Sequence, residues 1–168
     1  MYKITALFVL IPLLVNAQSE IKKTVYPDMV GDIAFDTTTD KKDFQLCYNT
    51  HVFQYFNFSD GVQYKGEKIA LDKTIKEQYR PESAKKESGT IRIRFIVNCK
   101  GETDRFRIIG MDENYTEKVF DTSITNQLLT ITKGLNGWLP KKWKEQEVSY
   151  YQYLIFKIEN GQLIEILP

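Results

Sequence analysis

The chain is short of the residues from which most reactions and metal sites are built. Its 168 residues include one histidine, two cysteines and five prolines. Cys47 and His51 together make two zinc ligands where four are usual, and as a nucleophile pair they lack a recognisable third group to orient the imidazole. No glycine-rich loop of the phosphate-cradling type is present. The pairs Asp112-Glu113 and Glu145/Glu147 are the only carboxylates grouped as a glycosidase would need them, and acidic pairs of this kind in loops usually serve solvation. Single-sign charge runs are also missing: 23 Lys+Arg stand against 22 Asp+Glu, a net charge of +1, which removes the basic arm of a nucleic-acid binder. The expectation is a non-enzymatic protein with no metal, no cofactor and no nucleic-acid partner.

Long apolar runs are absent but for one at the start. Ile4 to Val15 is apolar apart from Thr5 and Pro12, follows the basic Met1-Tyr2-Lys3 and ends in Val15-Asn16-Ala17, the small-residue spacing that signal peptidases cut after. The run falls short of the roughly 20 residues a helix needs to cross a bilayer. Residues 1–17 are therefore expected to be a cleaved signal peptide, leaving a periplasmic or secreted chain from Gln18 to Pro168 with no membrane anchor. That length suits one domain able to bury a real core. In an oxidising compartment Cys47 and Cys99 have one possible connectivity, and closing that loop would contribute about 4 kcal/mol as an upper figure. The alternative is two buried free thiols.

Ten Tyr and ten Phe favour sheet faces over helix bundles. In the N-terminal extension, residues 18–63, Asp36 to Asp43 reads as an exposed loop, while Phe44 to Tyr48 and His51 to Phe58 read as strands that pair as a hairpin. Leu71, Ile75 and Tyr79 recur at helical spacing and predict a helix over 67–79, ended by Pro81. Alternation from Gly89 to Asn98, a turn at Lys100-Gly101 and a second run from Glu102 to Ile109 predict a hairpin over 90–109, with Ile93 opposite Ile108 and Phe95 opposite Phe106. A second helix over 122–135 is predicted by N-cap oxygens at Asp121 to Ser123 and the stripe Ile124, Leu128, Ile131, Leu135, with Gly137 as terminator. Strands 148–159 and 162–167 flank Asn160-Gly161, a strong hairpin signal. The fold class is α+β: a small antiparallel sheet with two helices on one face.

Several of these features, in this order, resemble the C-terminal domain of TonB-type proteins. They are Gly89-x-Ile91-x-Ile93-x-Phe95-x-Val97, then Lys100-Gly101, the amphipathic second helix, Trp138-x-Pro140 and a strand ending near Phe156. The resemblance covers about Tyr64 to Ile158, so residues 64–168 form the candidate domain. It implies a protein partner in a bacterial cell-envelope process, linked to outer-membrane transport, bound as an extended segment added to the sheet edge. Members that transduce energy carry an uncleaved membrane helix and a long proline-rich spacer. Neither is found here, and the strand 162–167 is placed to fold back onto the edge where a receptor segment would dock. The chain thus looks like a stand-alone exported relative.

Two constellations are candidate binding surfaces. The hairpin register puts Arg92, Arg94, Arg105 and Arg107 on one sheet face, with Arg94 opposite Arg107. Such like charges need an anion, supplied either by a ligand or by Glu or Asp from a neighbouring strand or the extension. Alternation separates Tyr150 from Tyr151 and Tyr153, and the latter pair joins the arginine face as contact surface or as packing. An alternative to the protein-binding role is a small hydrolase or ligand-binding protein whose site lies between the extension and the sheet. Export itself is checked by sequencing the N-terminus of protein recovered from the envelope or the medium: it is expected to begin at Gln18, and an intact Met1 would contradict cleavage.

Overall fold

A computed structural model describes residues 32–48, 51–55, 61–81 and 86–167. The expected signal peptide, the extension up to residue 31 and the aromatic residues Phe56 and Phe58 lie outside the described residues. Asp32–Pro168 makes one compact unit. Its elements are β1 (Val52–Gln54), α1 (Glu67–Gln78), β2 (Gly89–Val97), β3 (Thr103–Met111), α2 (Thr122–Gly134), β4 (Lys141–Trp143), β5 (Gln146–Glu159) and β6 (Gln162–Leu167).

The fold is α+β, and its six-stranded sheet is mixed rather than antiparallel. Strands β2, β3, β4 and β6 join antiparallel pairs, whereas β1 runs parallel to β5, Val52 beside Ser149 and Gln54 beside Tyr151. Anchoring explains the direction. The backbone N–H of Cys47 donates to Ser149 Oγ at 2.9 Å, so the chain starts along β5 from near the end where β5 itself begins. The expected hairpin within the extension does not form: Phe44 to Tyr48 contains no strand, and among its described residues the second run contributes Val52–Gln54. Phe44 and Leu46 instead pack against buried Ile33, Val52, Ile96 and Tyr151.

Both helices sit on one face of the sheet, as their apolar stripes require. Leu71, Ile75 and Tyr79 from α1 and Ile124, Leu128, Ile131 and Leu135 from α2 share a buried cluster with Ile91, Ile93, Phe95, Tyr150, Leu154 and Phe156. The Asp121 carboxylate accepts from the Ser123 backbone N–H at 2.9 Å, capping α2 as its sequence foretold. Each helix ends one residue before its expected limit, because Tyr79 and Leu135 turn to extended backbone as C-caps while still burying their side chains. Gly137 does not end α2. It lies under the Tyr64 ring, where an added Cβ would come within 2.6 Å of Tyr64 Cζ.

The β2–β3 register holds through two departures that cancel. Asn98 accepts from the Gly101 N–H and donates to Glu102 O, so the loop is Cys99-Lys100-Gly101, one residue longer than expected. That lengthening would turn β3 over. A bulge between Arg94 and Ile96 restores it, with Arg94 again opposite Arg107 and Ile93 opposite Ile108. The extra residue on β3 is Arg105, whose φ of 57° is left-handed, the conformation such bulges prefer to give to glycine. Phe95 and Phe106 stack beyond it with centroids 5.1 Å apart.

Because a side chain at left-handed φ carries a backbone cost that glycine avoids, Arg105→Gly is expected to be neutral or to stabilise by up to about 1 kcal/mol in urea unfolding. Arg107→Gly, on regular strand backbone, is expected to destabilise. The opposite ranking would mean the bulge lies elsewhere.

Candidate functional site

Strand β5 has partners along both of its edges. One side pairs with β2 from Tyr150 to Ile158. The other is taken in turn by β4 at Gln146 to Val148, by β1 at Ser149 to Tyr151 and by β6 at Ile155 to Glu159. An extended segment seeking backbone hydrogen bonds along this strand finds most of the places filled, the gaps among the described strands being Gln152 to Leu154 on the outer side and Gln146 to Ser149 on the side of β2. Besides the outer edge of β3, which has no strand partner among the described residues, the fold leaves the sheet face away from the helices for recognition.

Neighbouring strand positions lay that outer face out in rows. Tyr151, Ile96 and Asp104 form the first row, Tyr153, Arg94 and Arg107 the second, Leu167, Ile155, Arg92 and Ile109 the third, and Glu165, Lys157, Thr90 and Met111 the fourth. A strap, residues 32–48, crosses the first two. It is fastened by the Cys47–Cys99 disulfide, by the Lys41 N–H donating to Asp104 Oδ2 at 2.9 Å and by Asn98 Nδ2 donating to Gln45 O at 3.3 Å. The thiols are therefore joined to each other, and among the described residues no free cysteine remains to pair with His51. His51 lies edge-on to Phe53, with centroids 4.7 Å apart.

The strap settles much of the arginine repulsion. Arg107 donates to both oxygens of Asp40, at 2.8 and 2.7 Å, and to Ala34 O at 2.7 Å. Asp40 is oriented for this by its neighbours, Oδ2 accepting from the Asp36 N–H at 2.8 Å. The paired guanidinium, the largest influence, outweighs burial and holds the Asp40 carboxyl down from 3.8 to about 2. Tyr151 is buried, with its hydroxyl accepting from the Ile33 N–H at 3.3 Å and donating to Asp32 Oδ1 at 2.9 Å. Arg107 and Tyr151, both candidates for binding, are thus committed to holding the strap. Arg105 lies over the Phe35 ring at 5.6 Å.

Arg92 and Arg94 differ from these. Arg94 stacks 4.3 Å from the Tyr151 ring centre; burial lowers its pKa, an effect partly offset by Tyr151 and Asp32, though a guanidinium stays charged throughout the working pH range. Arg92 stands 6.0 Å from the Tyr153 ring. Among the described residues neither makes an ion pair. Tyr153 also meets Tyr55 edge-on at 5.2 Å, and burial followed by this hydroxyl contact pushes Tyr55 up to about 12. Two recesses meet at Arg92 and Ile109. One, of about 480 Å³, runs under Ile33 to Asp36 beside Arg94; the other, of about 320 Å³, opens away from the strap over Ile155 and Leu167.

The sequence pointed to Arg92 and Arg94 but not to the apolar residues beside them. Ile109 and Leu167 are 43% and 41% exposed; only the pairing of β6 with β5 brings Leu167 into the row of Arg92. Of the acidic pairs, Asp112-Glu113 lines a recess of about 260 Å³ with Glu159 and Lys157. Asp112 Oδ1 is spent on the backbone N–H groups of Asn114 and Thr116, and Lys144 and Glu145 form the two-residue turn of the β4–β5 hairpin, both at positive φ. No group of three or more His, Cys, Asp or Glu side chains suited to a metal occurs among the described residues. No protein-family model matches the chain, and neither a curated protein nor a solved structure matches it.

The Asp40–Arg107 clamp dictates a pH response. A carboxyl held below its unfolded value stabilises the fold fully above about pH 4, and that contribution fades as pH falls through about 2. The loss is expected to be roughly 2 kcal/mol. In denaturant titrations between pH 5 and 2 the native chain should converge on Asp40→Asn from above; a constant gap across that range would contradict the clamp.

Proposed function

We propose that this is an exported, non-catalytic binding domain of the bacterial envelope that works through the outer face of its sheet. The observation that carries the proposal is Arg92. It is a guanidinium without an ion pair among the described residues, set in an apolar row of exposed Leu167 and Ile109 and half-buried Ile155, beside a charge pair that the chain has neutralised for itself. A surface meant only for water has no use for that apolar row. A core would not leave the cation without a carboxylate. A partner bringing an anionic group next to apolar surface satisfies both.

The disulfide and the absence, among the described residues, of any helix long and apolar enough to cross a membrane fit an exported chain. Strand addition in the TonB manner finds less support, since the chain's own β1, β4 and β6 occupy the edge of β5. What the TonB-like reading keeps is the order of elements and a role in binding; the place of contact moves from edge to face. The ligand-binding alternative gains from the recess between strap and sheet.

Photo-cross-linking in the native compartment tests face against edge. A benzophenone side chain at Ile109 is expected to give adducts that Arg92→Glu removes, and one at Ile69, 84% exposed on α1, is expected to give none. Adducts from Ile69 alone would overturn the outer-face proposal.

A further inference from the structure

The part of the outer face beyond the strap has a chemistry narrower than binding in general. The recess of about 320 Å³ has Ile109, Met111, Ile155 and Leu167 as its apolar surface, Tyr115 at its margin, and Arg92 and Lys157 as its cations; none of its lining residues is acidic. Lys157 is partly spoken for, with its ammonium 3.0 Å from Glu159. Arg92 is the cation left for a ligand. The larger recess under the strap is less suited to an anion, because Asp32 and Asp36 line it along with the arginines.

We infer that this recess binds a free, single-chain amphiphile with one anionic head, a long-chain carboxylate or its chemical equivalent, the head on Arg92 and the hydrocarbon over Ile109, Ile155 and Leu167. This rests on the outer-face reading above and names its ligand. The volume lies at the lower end of the range for small-molecule sites, as a single chain requires. An extended peptide is a worse occupant. β2 is paired on both sides, with β3 and β5, so its backbone has nothing to offer a peptide crossing the face, and each amide laid over the isoleucines would lose water without gaining a partner. A hydrocarbon tail has no such groups to satisfy. A bilayer surface is also a poorer fit, because electrostatic capture of membranes calls for about four to eight clustered basic residues, and here one guanidinium and one already paired ammonium face the recess.

Titration of the chain followed by amide NMR tests this, with decanoate, decanol and decyltrimethylammonium as probes, each below its micelle concentration. Decanoate is expected to shift Arg92, Ile109, Ile155 and Leu167 saturably, decanol to bind at least about tenfold more weakly, and the cation not to bind there. Arg92 is exposed, so Arg92→Gln should fold normally, lower decanoate affinity about tenfold or more, the worth of one charge-assisted contact, and leave decanol unchanged. Equal binding of decanol and decanoate, shifts confined to the helix side, or no effect of Arg92→Gln would overturn the assignment. Preference for an acidic helical peptide, for anionic vesicles over free decanoate, or self-association that Arg92→Glu abolishes would overturn it in favour of those occupants. Protein adducts from Ile109 with no response to decanoate would sink this ligand class and leave the outer-face proposal standing.

Discussion

The pairing of β5 along most of both edges is the constraint from which the rest of the molecule follows. A strand of this length, Gln146–Glu159, exposes a long row of backbone donors and acceptors if either side is free, and such an edge invites other chains. β2 takes one side from Tyr150 to Ile158; three short strands from three parts of the sequence share the other, with Gln152 to Leu154 between them. One of them, β1, follows a segment anchored by the Cys47–Cys99 disulfide and by the Cys47 hydrogen bond to Ser149. The disulfide thus does more than close a loop. It positions the strap over the first rows of the outer face and delivers the parallel strand that helps seal β5.

With most of β5 paired on both sides and one face under two helices, the sheet presents its other face and the outer edge of β3, and the strap divides that face. Under the strap the charges balance internally, Asp40 with Arg107, and Tyr151 is held by Asp32 and Ile33. Beyond it, Arg92 is flanked by isoleucine on either neighbouring strand. The same alternating pattern that makes one half a self-contained contact makes the other half a surface awaiting one. The difference lies in where the strap's acidic residues stop.

The helices, both hairpins and the disulfide were legible in the sequence because each is written locally: stripes at helical spacing, Asn160-Gly161, an even pair of cysteines. The alternation also assigned Arg92, Arg94 and Arg107 to one face correctly, even though the loop was taken one residue short, since the Arg105 bulge compensates. What escaped is what depends on distant partners. Val52–Gln54 and Lys141–Trp143 are strands because β5 offers them an edge, and a three-residue run has too little pattern to announce that. Asp40 was read as part of an exposed loop; its burial comes from meeting Arg107, 67 positions along. The apolar row beside Arg92 needed the pairing of β6 before Leu167 could be counted in it.

The central claim, that β1 and β6 close the edge of β5 where they pair with it and recognition falls to the sheet face, is tested most directly by native-state amide hydrogen exchange. The amides of β5 that point away from β2, within Ser149 to Tyr151 and Ile155 to Glu159, are expected to exchange as slowly as those paired with β2. Rapid exchange at those positions, with the β2-facing amides still protected, would show an open edge and contradict the account.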